Sequence, residues 1–74
     1  MQHEIHLSLA LSAGQCKRFY DGSARYVQAR DARGRWVRFP ARALQPYLTR
    51  EGVHGEFVLV HDARRRFVAL RRKA

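Results

Sequence analysis

Between Arg25 and Phe39, aromatic and cationic side chains recur at every second position. Tyr26, Gln28 and Arg30 stand on one run and Trp36 and Arg38 on the next. Paired across a hairpin, these five share one face. Rings set among guanidinium groups suit single-stranded nucleic acid: bases stack on the rings for about 1–3 kcal/mol each, and arginine neutralises phosphate or stacks in turn. Two plainer readings stand beside this one: a solvated sheet face with Trp36 lying under the stem of Arg30, or a face covered by the second helix or a partner subunit. A second basic group comprises Arg64, Arg65 and Arg66 with Arg71, Arg72 and Lys73. It is suited to holding phosphates without reading sequence.

Other chemistries find less support. The histidines are His3, His6, His54 and His61. His3 and His6 fall on opposite sides of a strand, and no Cys-x-x-Cys or His-x-x-x-His spacing exists, so neither a metal nor another cofactor is expected. Cys16 has Lys17 and Arg18 beside it near a helix start, which would favour a reactive thiolate. It also occupies an apolar position, and a small buried hydrophobe is the better reading. Asp31 and Asp62 sit where turns use Asp for local hydrogen bonds, and Asp21 lies at a helix end. No acid–base pair or phosphate-binding glycine loop emerges, and no enzyme is expected.

The charge balance agrees. Fifteen Lys and Arg oppose six Asp and Glu among 74 residues, a formal net charge of +9. Such an excess points to a polyanionic partner, nucleic acid before others. Thirteen of the fifteen cations are Arg, a bias that GC-rich coding also produces. The single cysteine forms no internal disulfide and suits a reducing compartment. The first residues lack a secretory signal, and no apolar run approaches membrane-spanning length. A soluble cytoplasmic protein of one domain, residues 1–74, is expected.

These side chains need elements to position them. Ile5, Leu7, Leu9 and Leu11 alternate with His6, Ser8 and Ala10, which predicts a half-buried strand. Ser12-Ala13-Gly14-Gln15 reads as a capping box opening a helix over about 13–21. Cys16, Phe19 and Tyr20 form its apolar face, and Gly22 stops it. In the hairpin from Arg25 to Phe39, a loop with Gly34 in the left-handed region pairs Asp31 with Arg35. That register sets Val27 against Phe39 and Ala29 against Val37 in the core. It sets Gln28 against Arg38 and Arg30 against Trp36 outside, and a one-residue slip would mix the faces. Pro40 suits the first position of an irregular helical turn bearing Ala41, Leu44, Tyr47 and Leu48, interrupted by Pro46. Residues 53–60 form a strand, the turn Asp62-Ala63-Arg64-Arg65 follows, and Phe67–Leu70 return. Arg65 stands where such turns usually have Gly or Asn. This second hairpin is apolar on both faces, with Val58, Val60 and Val68 or Leu70 candidates for exposure. Residues 70–74 read as a frayed basic tail. No repeat or linker is apparent.

The chain resembles a family of short bacterial proteins catalogued as a domain of unknown function. The resemblance rests on Phe19-Tyr20 with Gly22 and Ala24; on Phe39-Pro40-Ala41 with Leu44, Pro46, Tyr47 and Leu48; and on Gly52-Val53, Gly55, Phe57, Leu59, Asp62 and Phe67. It runs from Leu7 to Leu70 and implies a shared fold without an established activity. Some relatives carry a topoisomerase label, but 74 residues have room for neither an ATPase nor a cleavage domain.

The expected fold is α+β: five antiparallel strands in a strongly curved sheet or small barrel, with one short helix after strand 1 and a helical turn between strands 3 and 4. The expected function is a non-enzymatic nucleic-acid-binding module for RNA or single-stranded DNA. The alternative is a protein-interaction module that forms a homodimer through the second hairpin.

Overall fold

The computed structural model describes residues 2–73. The chain runs β1 (His3–Leu11), α1 (Ala13–Tyr20), β2 (Tyr26–Arg30), β3 (Trp36–Pro40), a 3₁₀ helix (Ala41–Tyr47), β4 (Val53–His61) and β5 (Phe67–Arg72). The α+β class and the five antiparallel strands agree with the sequence pattern. The single sheet or barrel does not form. The strands divide into a three-stranded sheet of order β1-β4-β5 and the two-stranded hairpin β2-β3.

One isolated bridge, Leu7 with Asp31, joins the two sheets, reinforced by the Ala32 amide donating to the His6 carbonyl at 2.9 Å. β1 and β2 touch, but among the described residues backbone pairing between the two sheets is confined to this point at mid-β1. On the far side the Tyr47 hydroxyl donates to the Leu70 carbonyl at 2.8 Å, taking a backbone acceptor of β5 that a closing strand would use.

The alternation in β1 does what period two requires. Leu7 and Leu9 are buried while His6, Ser8 and Ala10 are exposed. Facing β1 in antiparallel register, β4 sets Leu7 against Phe57 and Leu9 against Gly55. Phe57, Val53 and Leu59 add to a core completed by Val27, Phe39, Cys16, Leu44 and Leu70. The capping box forms: Ser12 Oγ accepts from the Gln15 amide at 3.2 Å and Gln15 Oε1 from the Ser12 amide at 2.8 Å. Burial pushes the Cys16 thiol above its ordinary pKa, the behaviour of a small core residue.

At the turn before β4, Thr49 and Gly52 exchange backbone hydrogen bonds of 3.0 Å each. Gly52 has φ +100°, and a β-carbon there would collide with the Leu11 carbonyl. Only glycine lets this turn press against the end of β1.

The second hairpin corrects two expectations. First, Val58 and Val60 are 8% and 5% exposed, and Leu70 is buried as well; Val68, at 42%, is the uncovered one. Val58 lies between His6 and Arg71, and Val60 between Glu4 and Ala69. The Arg71–Glu4 ion pair, 2.6 Å, spans from β5 to β1 across the strand that carries them. Long flanking side chains shield apolar residues of a central strand in this way without a second subunit. Second, the basic end of the chain is not frayed. β5 continues through Arg72, and the Lys73 amide donates to the Glu56 carbonyl at 2.9 Å. Ala74 lies outside the described residues. Among those residues, no helix is long and apolar enough to cross a membrane.

Candidate nucleic-acid interface

The register of β2 and β3 is the one the face pattern selects. Val27 pairs with Phe39, Gln28 with Arg38, Ala29 with Val37 and Arg30 with Trp36. The Asp31 amide donates to the Arg35 carbonyl at 2.8 Å. By the antiparallel alternation, Arg30–Trp36 is then a pair without backbone bonds, the type with closer side chains. The Arg30 guanidinium lies 4.5 Å from the Trp36 ring centre, and the Arg38 guanidinium lies 4.8 Å from that of Tyr26. Both rings stay open to solvent, Trp36 at 60% and Tyr26 at 57%. The five residues singled out in this hairpin therefore share one exposed face of two cation–ring pairs, with Gln28 between them.

The second basic group does not assemble as one site. Arg66 Nε bonds Asp62 at 3.1 Å, and Arg71 pairs with Glu4 on the outer face of the larger sheet. Arg72 turns to the inner face, 4.8 Å from the Phe57 ring and 5.6 Å from the Tyr47 ring, and donates to the His54 carbonyl at 3.1 Å. Arg72 is exposed, with its guanidinium set against these two rings. Arg64 is exposed on the β4–β5 turn. Arg65 alone of this group joins Trp36 and Arg38, across a groove of about 800 Å³ between the two hairpin ends.

That groove holds what the sequence reading missed. Its sides are the two hairpin turns, which are near-copies: Asp31-Ala32-Arg33-Gly34-Arg35 and Asp62-Ala63-Arg64-Arg65-Arg66. No repeat was apparent at full-chain scale because this one spans a single pentapeptide. The signal was available in the paired Asp-Ala-Arg-x-Arg strings. In each turn the aspartate works alike. Asp31 Oδ1 accepts from the Arg33 and Arg35 amides at 2.9 and 2.8 Å, and Oδ2 from Arg35 Nε at 2.9 Å. Asp62 Oδ1 accepts from the Arg64 and Arg66 amides at 2.8 and 2.9 Å. Burial acts to raise the Asp31 pKa, but the Arg35 and Arg33 donors outweigh it and hold the carboxyl below its ordinary value. At Asp62 the Arg66 amide leads, and the result is again a lowered pKa.

The fourth position of each turn needs positive φ: +82° at Gly34 and +63° at Arg65. Among the described residues, Arg65 is the one non-glycine in that region, which costs an ordinary side chain about 1–2 kcal/mol. Apolar Ile5, Val37, Leu59 and Phe67 line the groove. His3 and His61, stacked at 5.2 Å, also line it. Arg33, Arg35, Arg38 and Arg65 line it together with the carboxylates of Glu4 and Asp31. At the Tyr26 end of the hairpin face, a second and smaller groove of about 600 Å³ carries Arg25 and Arg42.

An exposed ring-and-guanidinium face continuous with an arginine-lined groove can stack planar ligands and neutralise anions. No curated protein and no solved structure matches the chain. A family model described as "Protein of unknown function (DUF2835)" matches residues 3–73, and the chain belongs to that family.

Proposed function

We propose that this protein is a non-enzymatic module that binds single-stranded nucleic acid, RNA or DNA, through the outer face of the β2–β3 hairpin. One observation carries the reading: Trp36 and Tyr26 stand 60% and 57% exposed, each with an arginine guanidinium within 5 Å of its ring. A soluble domain gains nothing by leaving two large rings in water. Stacked bases repay that exposure, and guanidinium groups already at the rings need move little to reach phosphates. The net charge of +9 supplies the long-range attraction. A reducing, cytoplasmic setting belongs to the same reading, supported by one buried thiol.

Duplex is the weaker candidate, because stacking on exposed rings needs unpaired bases. The test is an anisotropy titration with labelled single strands and a matched duplex over a range of salt. Single strands should bind more tightly, with log affinity falling linearly in log salt by about 0.7 per phosphate contacted. Absence of binding at low salt, or binding indifferent to salt, refutes the reading. Sedimentation run alongside reports any homodimer. A dimer indifferent to oligonucleotide would favour a protein-interaction role instead.

A further inference from the structure

We infer that the groove between the twin turns receives one unstacked base of a bound strand, with Arg65 and Arg33 set to hold its flanking phosphates. The inference rests on the nucleic-acid reading above and adds a specific pocket to it.

Three observations converge. The groove is about 800 Å³, and apolar Ile5, Val37, Leu59 and Phe67 share its lining with four arginines, Glu4 and Asp31. A flat, largely apolar ring bearing anions at its edge fits that lining, and a base with its phosphates is such a group. The groove also borders the exposed face directly, since Trp36 and Arg38 line both. A strand lying on the face reaches it without a break. The two carboxylates leave the lining positive: Asp31 is engaged by Arg35 at 2.9 Å and Glu4 by Arg71 at 2.6 Å.

The third observation concerns Arg65. The same pentapeptide turn is built twice, and in the first copy glycine fills the left-handed position. In the second copy that position holds an arginine at φ +63°, and this arginine lines the groove. The turn itself is better served by glycine. Side-chain chemistry in the groove is what arginine adds, and backbone conformations kept against local preference cluster at binding sites.

Two variants test the pocket. Arg65→Gly turns the second pentapeptide into the first, a sequence this fold already accommodates. The double variant Ala32→Leu/Ala63→Leu fills the groove from two exposed positions without changing charge. Each is titrated with a fluorescein-labelled oligothymidylate and with an abasic strand carrying the same phosphates, and thermal melting confirms the fold. The filled groove should bind the intact strand about tenfold more weakly and the abasic strand as wild type does. Arg65→Gly should lose affinity for both strands and lower the salt slope by about 0.7, while melting no lower than wild type.

If wild type binds the intact strand and the filled groove binds it equally well, the pocket is refuted and the face reading stands. If wild type binds no strand at all, both fall. Poly-glutamate displacing the strand from wild type but not from the filled variant would make the groove a site for acidic peptides, and would overturn the inference.

Discussion

Arg72 Nη1 lies 2.8 Å from the point that a β-carbon on Gly55 would occupy. The missing side chain on β4 is thus the space into which an arginine of β5 folds, its guanidinium over Phe57 and its Nη1 donating to the His54 carbonyl. Gly55 has φ +132°, so an added side chain would meet both strain and the guanidinium. Gly55→Ala should destabilise the fold by about 2 kcal/mol. Arg72→Ala should cost about 1 kcal/mol through lost packing and leave oligonucleotide affinity unchanged. Paired chemical denaturation and binding titrations check both.

Gly52 allows less adjustment, because the atom a β-carbon would strike is backbone, the carbonyl of Leu11. Gly52→Ala should lose about 4 kcal/mol or fail to fold. Circular dichroism of the purified variant decides this. A native spectrum with an unchanged melting temperature would contradict the close packing of the turn before β4 against the end of β1.

Trp36 is the sole tryptophan, so its fluorescence reports the proposed face directly. Single-stranded oligonucleotide should quench it. Trp36→Ala should weaken binding about tenfold and change stability by less than about 0.5 kcal/mol, as for an exposed side chain outside the core. Arg38→Ala should reduce the salt slope by about 0.7.

Much of this geometry was legible beforehand, and the reasons differ between elements. The register from Tyr26 to Phe39 followed from face segregation, since a one-residue slip would have mixed Trp36 with Val27. Ser12 and Gln15 disclosed the helix start because a capping box is a local device. The division into two sheets was not legible, because it depends on where Asp31 touches Leu7, a contact between distant segments. The fate of the second basic group was equally hidden. Nothing local to Arg71 or Arg72 reveals Glu4 or Gly55 as its neighbour in space. The groove escaped notice because its cations come from two turns, Arg33 and Arg65, each of which by itself reads only as hairpin surface.

The turn aspartates set an acid dependence. Asp31 and Asp62 both have folded pKa values below the ordinary aspartate range. Their ionised forms therefore favour the folded state. That contribution is complete above the unfolded pKa and is lost as pH falls through the depressed folded values. Stability should hold near neutrality and drop in strong acid. In Asp31→Asn the fall should be shallower and neutral-pH stability lower. Melting temperatures across an acid series measure both.

Cys16 should resist a mild thiol reagent in the native protein and react once denaturant is added, since burial holds the thiol protonated and out of reach. Rapid modification under native conditions would contradict its core position.

The partner of β1 is β4, and the ladder runs from Leu11–Val53 to His3–His61. β1 therefore waits for a strand that four other elements separate from it, while the β2–β3 hairpin closes from neighbouring residues alone. Closing so long an intervening stretch consumes chain entropy before any contact returns it. On a growing chain the ring-bearing hairpin can form early, whereas the strand holding Leu7 and Leu9 stays unpaired until β4 has been made. The larger sheet consequently cannot assemble before β4 exists, and truncation within β4 leaves β1 without its ladder partner.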